Sequence, residues 1–458
     1  MTPPLFAIIG HPNEGKSSVV STLTENDSIA ISSTPGETTR SNTYDAKAQG
    51  KTIISFVDTP GFQNPTRCLS WLKENELSGA AAAKEFINRF SADSQFHHDC
   101  ELMTPLAQGA GVIFVADASR PLSKVDLQEM EILRLLGLPR AAIINSKSES
   151  QQNLEQWKDA FRKNFNAIRV FNAHNANFTE RIGLLETLKT IEQDWSPALV
   201  AAIQAINEDW GERAQRSAEI ISGLLEESLV FTQSKLIANE SQSASSQKKL
   251  KESYREGLIK LEKRAWADMK NLYRHHKLSI DFDQQSILNE DLFSEKTWQA
   301  MGLTQSQLAI AASTIGAGIG LSVDAALSGL SFGVFTAAGA LFGGGAALLK
   351  GQELSKMKVN HVPLGGLKLT IGPNRNEQFP FILLDRALLF HRVASNWAHA
   401  KQENTLEIDS NKKKGDSSNW SDKDRKLAAR FFAAIKSQRQ DKLTQLYPEF
   451  NQLITNVL

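Results

Sequence analysis

The sequence predicts an α/β domain with a doubly wound, mostly parallel sheet over residues 1–195. A mainly α-helical domain follows over 196–458 and contains a glycine-rich hydrophobic hairpin. Three observations carry this reading. An apolar run, Leu5 to Ile9, feeds a glycine-bearing loop and then a helical pattern. Strand-like and helix-like segments then alternate as far as about residue 191. From Pro197 onward the helical period takes over, interrupted by the long apolar tract Leu308 to Leu349.

The first run ends in Gly10-His11-Pro12-Asn13-Glu14-Gly15-Lys16-Ser17, a full match to G-x-x-x-x-G-K-[ST]. Glycines let such a loop fold closely enough for its amide N–H groups to face phosphate oxygens. The helix beginning at Ser18 adds the positive end of its dipole. Asn13, Glu14, Gly15, Lys16, Ser17 and Ser18 are therefore candidate phosphate contacts. Lys16 is placed for the outer phosphates and Ser17 for Mg²⁺.

Two strand-like runs, Asn42 to Ala48 and Thr52 to Val57, flank the turn Gln49-Gly50-Lys51. The second leads into Asp58-Thr59-Pro60-Gly61. A carboxylate at the end of a strand beside a phosphate loop stands where Mg²⁺ needs one, and Gly61 offers a backbone N–H to a γ-phosphate.

With Pro35-Gly36-Glu37-Thr38-Thr39-Arg40 between them, these motifs resemble the translation-factor-like branch of P-loop GTPases, in particular the TrmE–Era–EngA group. The resemblance covers residues 1–195. It implies a GTP/GDP ligand, Mg²⁺ held by Ser17, Thr39 and Asp58, and a catalytic set of Lys16, Thr39 and Gly61. Pro12-Asn13 matches the phosphate loop of members in which the Asn helps hold K⁺, so K⁺ activation becomes an expectation. Glu14 replaces the small residue usual there. After Asp-x-x-Gly comes Phe62, where a glutamine would orient the attacking water. The resemblance is thus to slow or assisted GTPases, with Gln63 a weak substitute.

Residues 62–109 exceed a simple switch segment and read as an insertion, with a helix expected from Trp71 to Phe90. His97-His98-Asp99-Cys100 has no second ligand cluster nearby and reads as surface polarity. Gly111 to Ala116 is a buried strand, Asp126 to Leu136 an amphipathic helix, and Ala141 to Asn145 the next strand. The family's Asn-Lys-x-Asp, which reads guanine, becomes Asn145-Ser146-Lys147-Ser148-Glu149, so Asn145 and Lys147 are base-site candidates with weakened discrimination. A helix at Leu154–Phe165 and a strand at Ala167–Phe171 lead to Asn172 and Ala173, where the family has Ser-Ala-Lys. Arg181 to Ile191 closes the domain.

In the second half, Leu199 to Ala238 and Lys248 to Lys277 read as helices. The latter is basic, with Trp266 and Tyr273 interleaved: a solvated face, or a surface for anionic lipid or RNA. Leu308 to Leu349 contains one ionisable residue, Asp324, and small residues at four-residue spacing such as Gly316, Gly320, Gly329 and Gly333. That spacing lets helices approach closely in lipid, so two crossings or an inserted hairpin are expected, against a buried soluble hairpin. Pro363 to Pro373 suggests a strand pair, Phe379 to Ala400 a helix, and Ser421 the N-cap of a last helix.

Lys+Arg and Asp+Glu number 51 each, so net charge gives no argument for nucleic acid. The two cysteines, Cys68 and Cys100, carry no metal-ligand spacing and fit a reducing cytosol. No basic segment precedes the first apolar run, so no signal peptide is expected. The architecture resembles a bacterial family that joins such a GTPase domain to a helical domain of unknown function. The expectation is a GTP-hydrolysing switch at the cytoplasmic face of the inner membrane, meeting lipid and a protein partner. The alternatives are an RNA- or ribosome-associated GTPase and a nucleotide-binding scaffold of very slow turnover.

Overall fold

The computed structural model describes residues 3–29, 31, 38–145, 153–237, 243–278, 292, 358–359, 362–363, 367–400 and 415–458. The chain forms two compact units. One is Met1–Arg213 with Lys270–Leu278 and Val393–Asn404; the other is Ala214–Met269 with Ser279–Arg392 and Thr405–Leu458. Residue 195, the expected domain boundary, ends a short 3-10 turn, Gln193–Trp195, and the first unit runs on past it.

The first unit holds a six-stranded sheet of β1 (Leu5–Ile9), β2 (Asn42–Ala48), β3 (Lys51–Asp58), β4 (Gly111–Ala116), β5 (Arg140–Asn145) and β6 (Ala167–Phe171). Their order is β2-β3-β1-β4-β5-β6. Only β2, a hairpin partner of β3, runs antiparallel. β1, β4 and β5 are nearly all apolar and buried because both their faces are covered, whereas β2 is polar and largely exposed. Val112, Phe114 and Ala116 of β4 enter one core, and Ile113 and Val115 enter the other. Ile8 is in register with Asp58 on one side and Ile113 on the other. That register brings the ends of β1 and β3 together, which decides where a phosphate site can form.

Residues 62–109 do not sit apart from this core. They form α2 (Pro65–Asn75), α3 (Gly79–Phe90) and α4 (His97–Ala107), after α1 (Lys16–Thr24) in chain order. Cys68, Leu72, Phe86, Phe96, Met103 and Leu106 pack into the core that receives Phe114. The helix expected across Trp71 to Phe90 is two helices. Glu76 closes the first in the left-handed conformation, and extended Ser78 opens the second. Trp71 and Phe86 still meet edge to face at 5.4 Å. Both cysteines are buried free thiols. Helices α5 (Lys124–Leu136), α6 (Leu154–Asn164) and α7 (Phe178–Lys189) complete the expected alternation.

The second unit is mainly helical. It takes residues from α8 (Ser196–Val230), α9 (Ser243–Leu272) and α10 (Phe379–Asn396), and includes α11 (Asp422–Lys436) and α12 (Gln440–Val457). Two expectations change here. The first helix stops at Val230, and Gln233–Ile237 becomes a strand, β7. Its antiparallel partner lies far along the chain at Leu367–Ile371, so local periodicity could not reveal the pairing. That pairing also replaces the strand pair expected within 363–373. A two-residue pair, Lys358–Val359 with Val362–Pro363, lies just before it.

The aromatic residues of the basic helix are core residues. Tyr254, Trp266 and Tyr273 are buried, while Lys248, Lys249, Lys260 and Lys263 are exposed. Trp266 stacks on Phe390 at 5.0 Å with ring planes 5° apart. Glu262 receives a buried two-point contact from Arg386 at 2.6 and 2.9 Å. The lysines thus form an outward face and the aromatics an inner one. Phe431 and Phe450 stack at 4.1 Å where α11 meets α12. The tract 308–349 with Asp324, expected as a hairpin, lies outside the described residues, as do Lys147 and its neighbours. Among the described residues no helix is long and apolar enough to cross a membrane.

One buried acid sets a pH test of this unit. Asp385 of α10 accepts hydrogen bonds from the backbone N–H and hydroxyl of Ser417 at 2.8 and 2.9 Å. Burial nonetheless pushes its carboxyl up from 3.8 to about 7. A raised acid favours the fold when protonated: the benefit is full below 3.8 and is lost as pH rises through about 7. Asp385→Asn should remove this slope, so its stability relative to the native chain should rise with pH by up to about 1.4 kcal/mol per unit within that window. Urea unfolding at several pH values measures the difference, in which the shared histidine titrations cancel. Parallel curves would reject the assignment.

Candidate functional site

The site starts from backbone conformations that the sequence dictates. Gly10 has φ +148, and a side chain there would collide with the Val115 carbonyl of β4. Asn13 and Gly15 are also left-handed, at φ 66 and 92. Three such residues in six turn the loop tightly around its own amides. Lys16 begins α1, buried to 8% exposure, and its ammonium donates to the carbonyls of Gly10 and His11 at 2.9 and 3.0 Å. Gly61 follows the end of β3, where a Cβ would come within 3.0 Å of Pro12.

Ser17 and Asp58 meet at the mouth of the loop. The Ser17 hydroxyl donates to Asp58 Oδ2 at 2.6 Å. Asp58 Oδ1 is buried with no hydrogen-bond partner. Burial pushes the Asp58 carboxyl up against the opposing pull of the Ser17 hydroxyl and the Lys16 ammonium. An orphaned carboxylate oxygen beside a hydroxyl, with a neighbouring ammonium, fits a hard divalent cation with phosphate oxygens completing its shell. Thr59 anchors the turn by donating to the Ile8 carbonyl at 2.7 Å. Thr39 is exposed in the segment before β2 and is not gathered into the Ser17–Asp58 pair.

Glu14, which the motif alone left without an account, holds the loop from beneath. It is 2% exposed, and its carboxylate accepts from Arg120 Nε at 2.5 Å and from the Asp117 backbone N–H. The same guanidinium grips Asp126 with two bonds of 2.7 Å. Asp126 also closes a capping box with Ser123 at the start of α5. Burial raises the Glu14 carboxyl and Arg120 opposes it. On the other side, His11 Nδ1 lies 3.6 Å from Glu129 Oε1, a fully buried carboxylate of α5. The neighbouring Glu129 carboxylate raises the His11 imidazole. Arg120, Asp126 and Glu129 escape motif reading because they support the loop from another element.

Asn145, the expected base contact, takes a bridging position between two backbones. Its amide donates to the Glu14 carbonyl at 3.0 Å and accepts from Ala173 N–H at 3.1 Å. Thr22 of α1 donates to the Ala173 carbonyl at 2.8 Å. Asn172 turns its side chain back to the His174 N–H at 3.0 Å. Ser18 is buried in α1.

The side chains that follow Gly61 have partners of their own. Phe62 is buried in the core. Gln63 and Asn64 donate backbone N–H groups to Asp99 at 2.9 and 3.2 Å, and the Gln63 side chain meets His98 Nδ1 at 3.1 Å. His98 and Asp99 thus hold this loop, and Asp99 does so from a fully buried position rather than the surface.

Comparisons with known proteins agree with this geometry. A family model described as a 50S ribosome-binding GTPase matches residues 5–146. A second, described as a domain of unknown function, DUF3482, matches residues 158–455. The probable GTP-binding protein EngB of Xylella fastidiosa (strain Temecula1) is 28% identical over 197 residues, covering 41% of this chain and 83% of the relative. GTPase Era of Borrelia hermsii is 28% identical over 167 residues, covering 34% of this chain and 55% of the relative. A solved structure of Aquifex aeolicus Era with GDP and AlF4⁻ bound is 17% identical, covers 59% of this chain and 90% of its own, and superposes with a TM-score of 0.30. The N-terminal part is a GTPase domain of the Era/EngB/Der type. The chain belongs to the DUF3482 family, with that GTPase domain ahead of the domain of unknown function.

Proposed function

We propose that this chain is a slow GTP switch whose nucleotide state is read by its helical half. The observation that carries the reading is the Ser17–Asp58 pair, 2.6 Å apart beside a loop whose lysine is satisfied by its own carbonyls. On binding nucleotide, Lys16 exchanges the Gly10 and His11 carbonyls for the outer phosphates. Ser17 and Asp58 would hold Mg²⁺, Thr39 would join them from its exposed position, and Gly61 would offer its N–H to the γ-phosphate. Bound Mg²⁺ neutralises charge that builds on the phosphates during transfer. Ordering of Thr39 and the loop after Gly61 supplies the switch.

Hydrolysis is slow in this reading because Phe62 is buried and the Gln63 side chain is engaged by His98. Guanine is preferred over adenine, by a modest margin, since Asn145 braces the loop through Glu14 and Ala173 while Ser148 replaces the usual aspartate. Losing Lys16 removes charge-assisted bonds of about 1.5–3 kcal/mol, so Lys16→Ala should weaken GTP binding about 10- to 100-fold. Competition of a labelled guanine nucleotide by GTP and ATP measures this affinity and the base preference together. Unchanged binding in Lys16→Ala would sink the loop assignment, and equal competition by ATP would sink the guanine preference.

Asn13 motivates a monovalent-ion role. It is exposed and left-handed, at the bend where the loop meets the phosphates. A K⁺ ion there would add charge stabilisation that the Phe62 position does not provide. GTP turnover should be faster in KCl than in NaCl of equal ionic strength, and Asn13→Ala should abolish the difference. Identical rates in the two salts would remove this role.

The tract Leu308 to Leu349 supports lipid contact through its length, its single charge at Asp324 and its small-residue spacing. We place the chain on the inner face of a bacterial membrane, with a protein partner acting on the helical half. The protein should sediment with membranes and resist release by high salt. Salt-sensitive sedimentation with ribosomes would favour the RNA-associated reading instead.

A further inference from the structure

Several buried polar atoms lack a hydrogen-bond partner, and three of them converge in the first unit. They are Asp27 Oδ1, His275 Nδ1 and His399 Nδ1. All three residues are buried, at 1%, 2% and 6% exposure, and the ligand atoms lie within 4.8 Å of one another. Asp27 stands in the turn after α1, His275 just beyond α9, and His399 beyond α10. The sequence gives no metal-ligand spacing, because the three lie far apart along the chain.

The opposite edge of two of these groups is already fixed. Asp27 Oδ2 accepts the backbone N–H groups of His276 and Lys277 at 2.7 and 2.8 Å. His275 Nε2 lies 2.7 Å from the Ala394 carbonyl. A carbonyl only accepts, so Nε2 carries the proton and Nδ1 presents a lone pair. A backbone carbonyl holding the outer nitrogen is the usual outer support of a metal-bound imidazole. The His399 ring stacks on His275 at 4.3 Å and 26°. Burial keeps both imidazoles neutral: it lowers His275 to about 4 and lowers His399 as well. The centre therefore gathers the His275 lone pair, an Asp27 carboxylate oxygen and the His399 Nδ1, none of them hydrogen-bonded. Acceptors facing one another in a dry site repel unless something positive stands between them.

We propose that Asp27, His275 and His399 form a zinc site, separate from the Mg²⁺ position at Ser17 and Asp58. Two imidazoles and one carboxylate suit a borderline ion such as Zn²⁺ better than the oxygen-seeking Mg²⁺ or Ca²⁺. Bonds of about 2.0–2.2 Å require the ligand atoms to draw in to about 3.4 Å, with water in the fourth position. The two imidazoles also line a cavity of about 10 Å³. The nearby guanidiniums of Arg181, Arg213 and Arg274 are engaged with Glu25, which limits their repulsion of the ion. The ion would clip segments 270–278 and 393–400 to the turn after the phosphate-loop helix. Such a link forms only in the folded chain, so it acts as a stabilising staple.

The test uses the full untagged chain, stripped with chelator and held with excess Mg²⁺ and GDP to fill the nucleotide site. Calorimetric titration with Zn²⁺, and metal analysis after gel filtration, should give one zinc per chain and a raised melting temperature. His275→Ala and His399→Ala should each weaken Zn²⁺ binding by at least the 10- to 100-fold that loss of an outer-shell partner costs, or about that much more. His399→Gln is the gentler variant, and retained GDP binding reports that each variant folds. Co²⁺ in place of Zn²⁺ should give the visible band of a tetrahedral nitrogen–oxygen site in the native chain, a readout that needs no variant. Failure of the native chain to take up Zn²⁺ would overturn the proposal and leave a water in the cavity. Uptake undiminished in both histidine variants would overturn it as well.

Discussion

A buried amide ties the nucleotide domain together. Asn145 stands at the end of β5 and hydrogen-bonds two backbones at once, the Glu14 carbonyl and the Ala173 N–H. Through it the phosphate loop, the β5 end and the loop after β6 form one unit. The arrangement works only because β1, β4, β5 and β6 end on one edge of a parallel sheet. Because Asn145 is fully buried, removing the amide leaves two buried backbone groups unmatched.

The same dependence on buried partners governs the charges beneath the loop. Glu14 is tolerable inside because Arg120 and a backbone N–H meet it, and Arg120 is in turn held by Asp126. Breaking such a chain at one member strands the next charge without a partner. Asp126 also caps α5, so the loop's support and the helix's start are one feature. This gives Glu14 a structural reason for replacing a small residue. It braces the loop from below while the amides above stay open to phosphate.

The helical half follows a different rule. Its basic helix α9 owes its fold to a buried stripe of Tyr254, Trp266 and Glu262, the last paired with Arg386, and its lysines face outward. Basic and aromatic residues alternating in sequence look like a recognition surface. On a helix, however, residues three or four apart share a face and the aromatics take the inner one. The strand β7 has similar logic, since its partner lies more than a hundred residues away and only the folded chain supplies it.

The sequence by itself determined the parallel sheet, the phosphate loop and the Asp58 position, because each is a local code. Apolar runs mark strands buried on both faces, glycines mark tight bends, and strand–loop–helix order fixes where the anion goes. It also marked Phe62 where a glutamine would stand, and the folded chain buries that ring in the core. Tertiary structure decided the rest. Arg120, Asp126 and Glu129 act on the loop from other elements, and Thr39 remains exposed although its motif is intact. Asp27, His275 and His399 come within reach only after the chain has folded. Packing, not spacing, brings such groups together, and a one-dimensional pattern carries no record of which distant side chains will share a dry site.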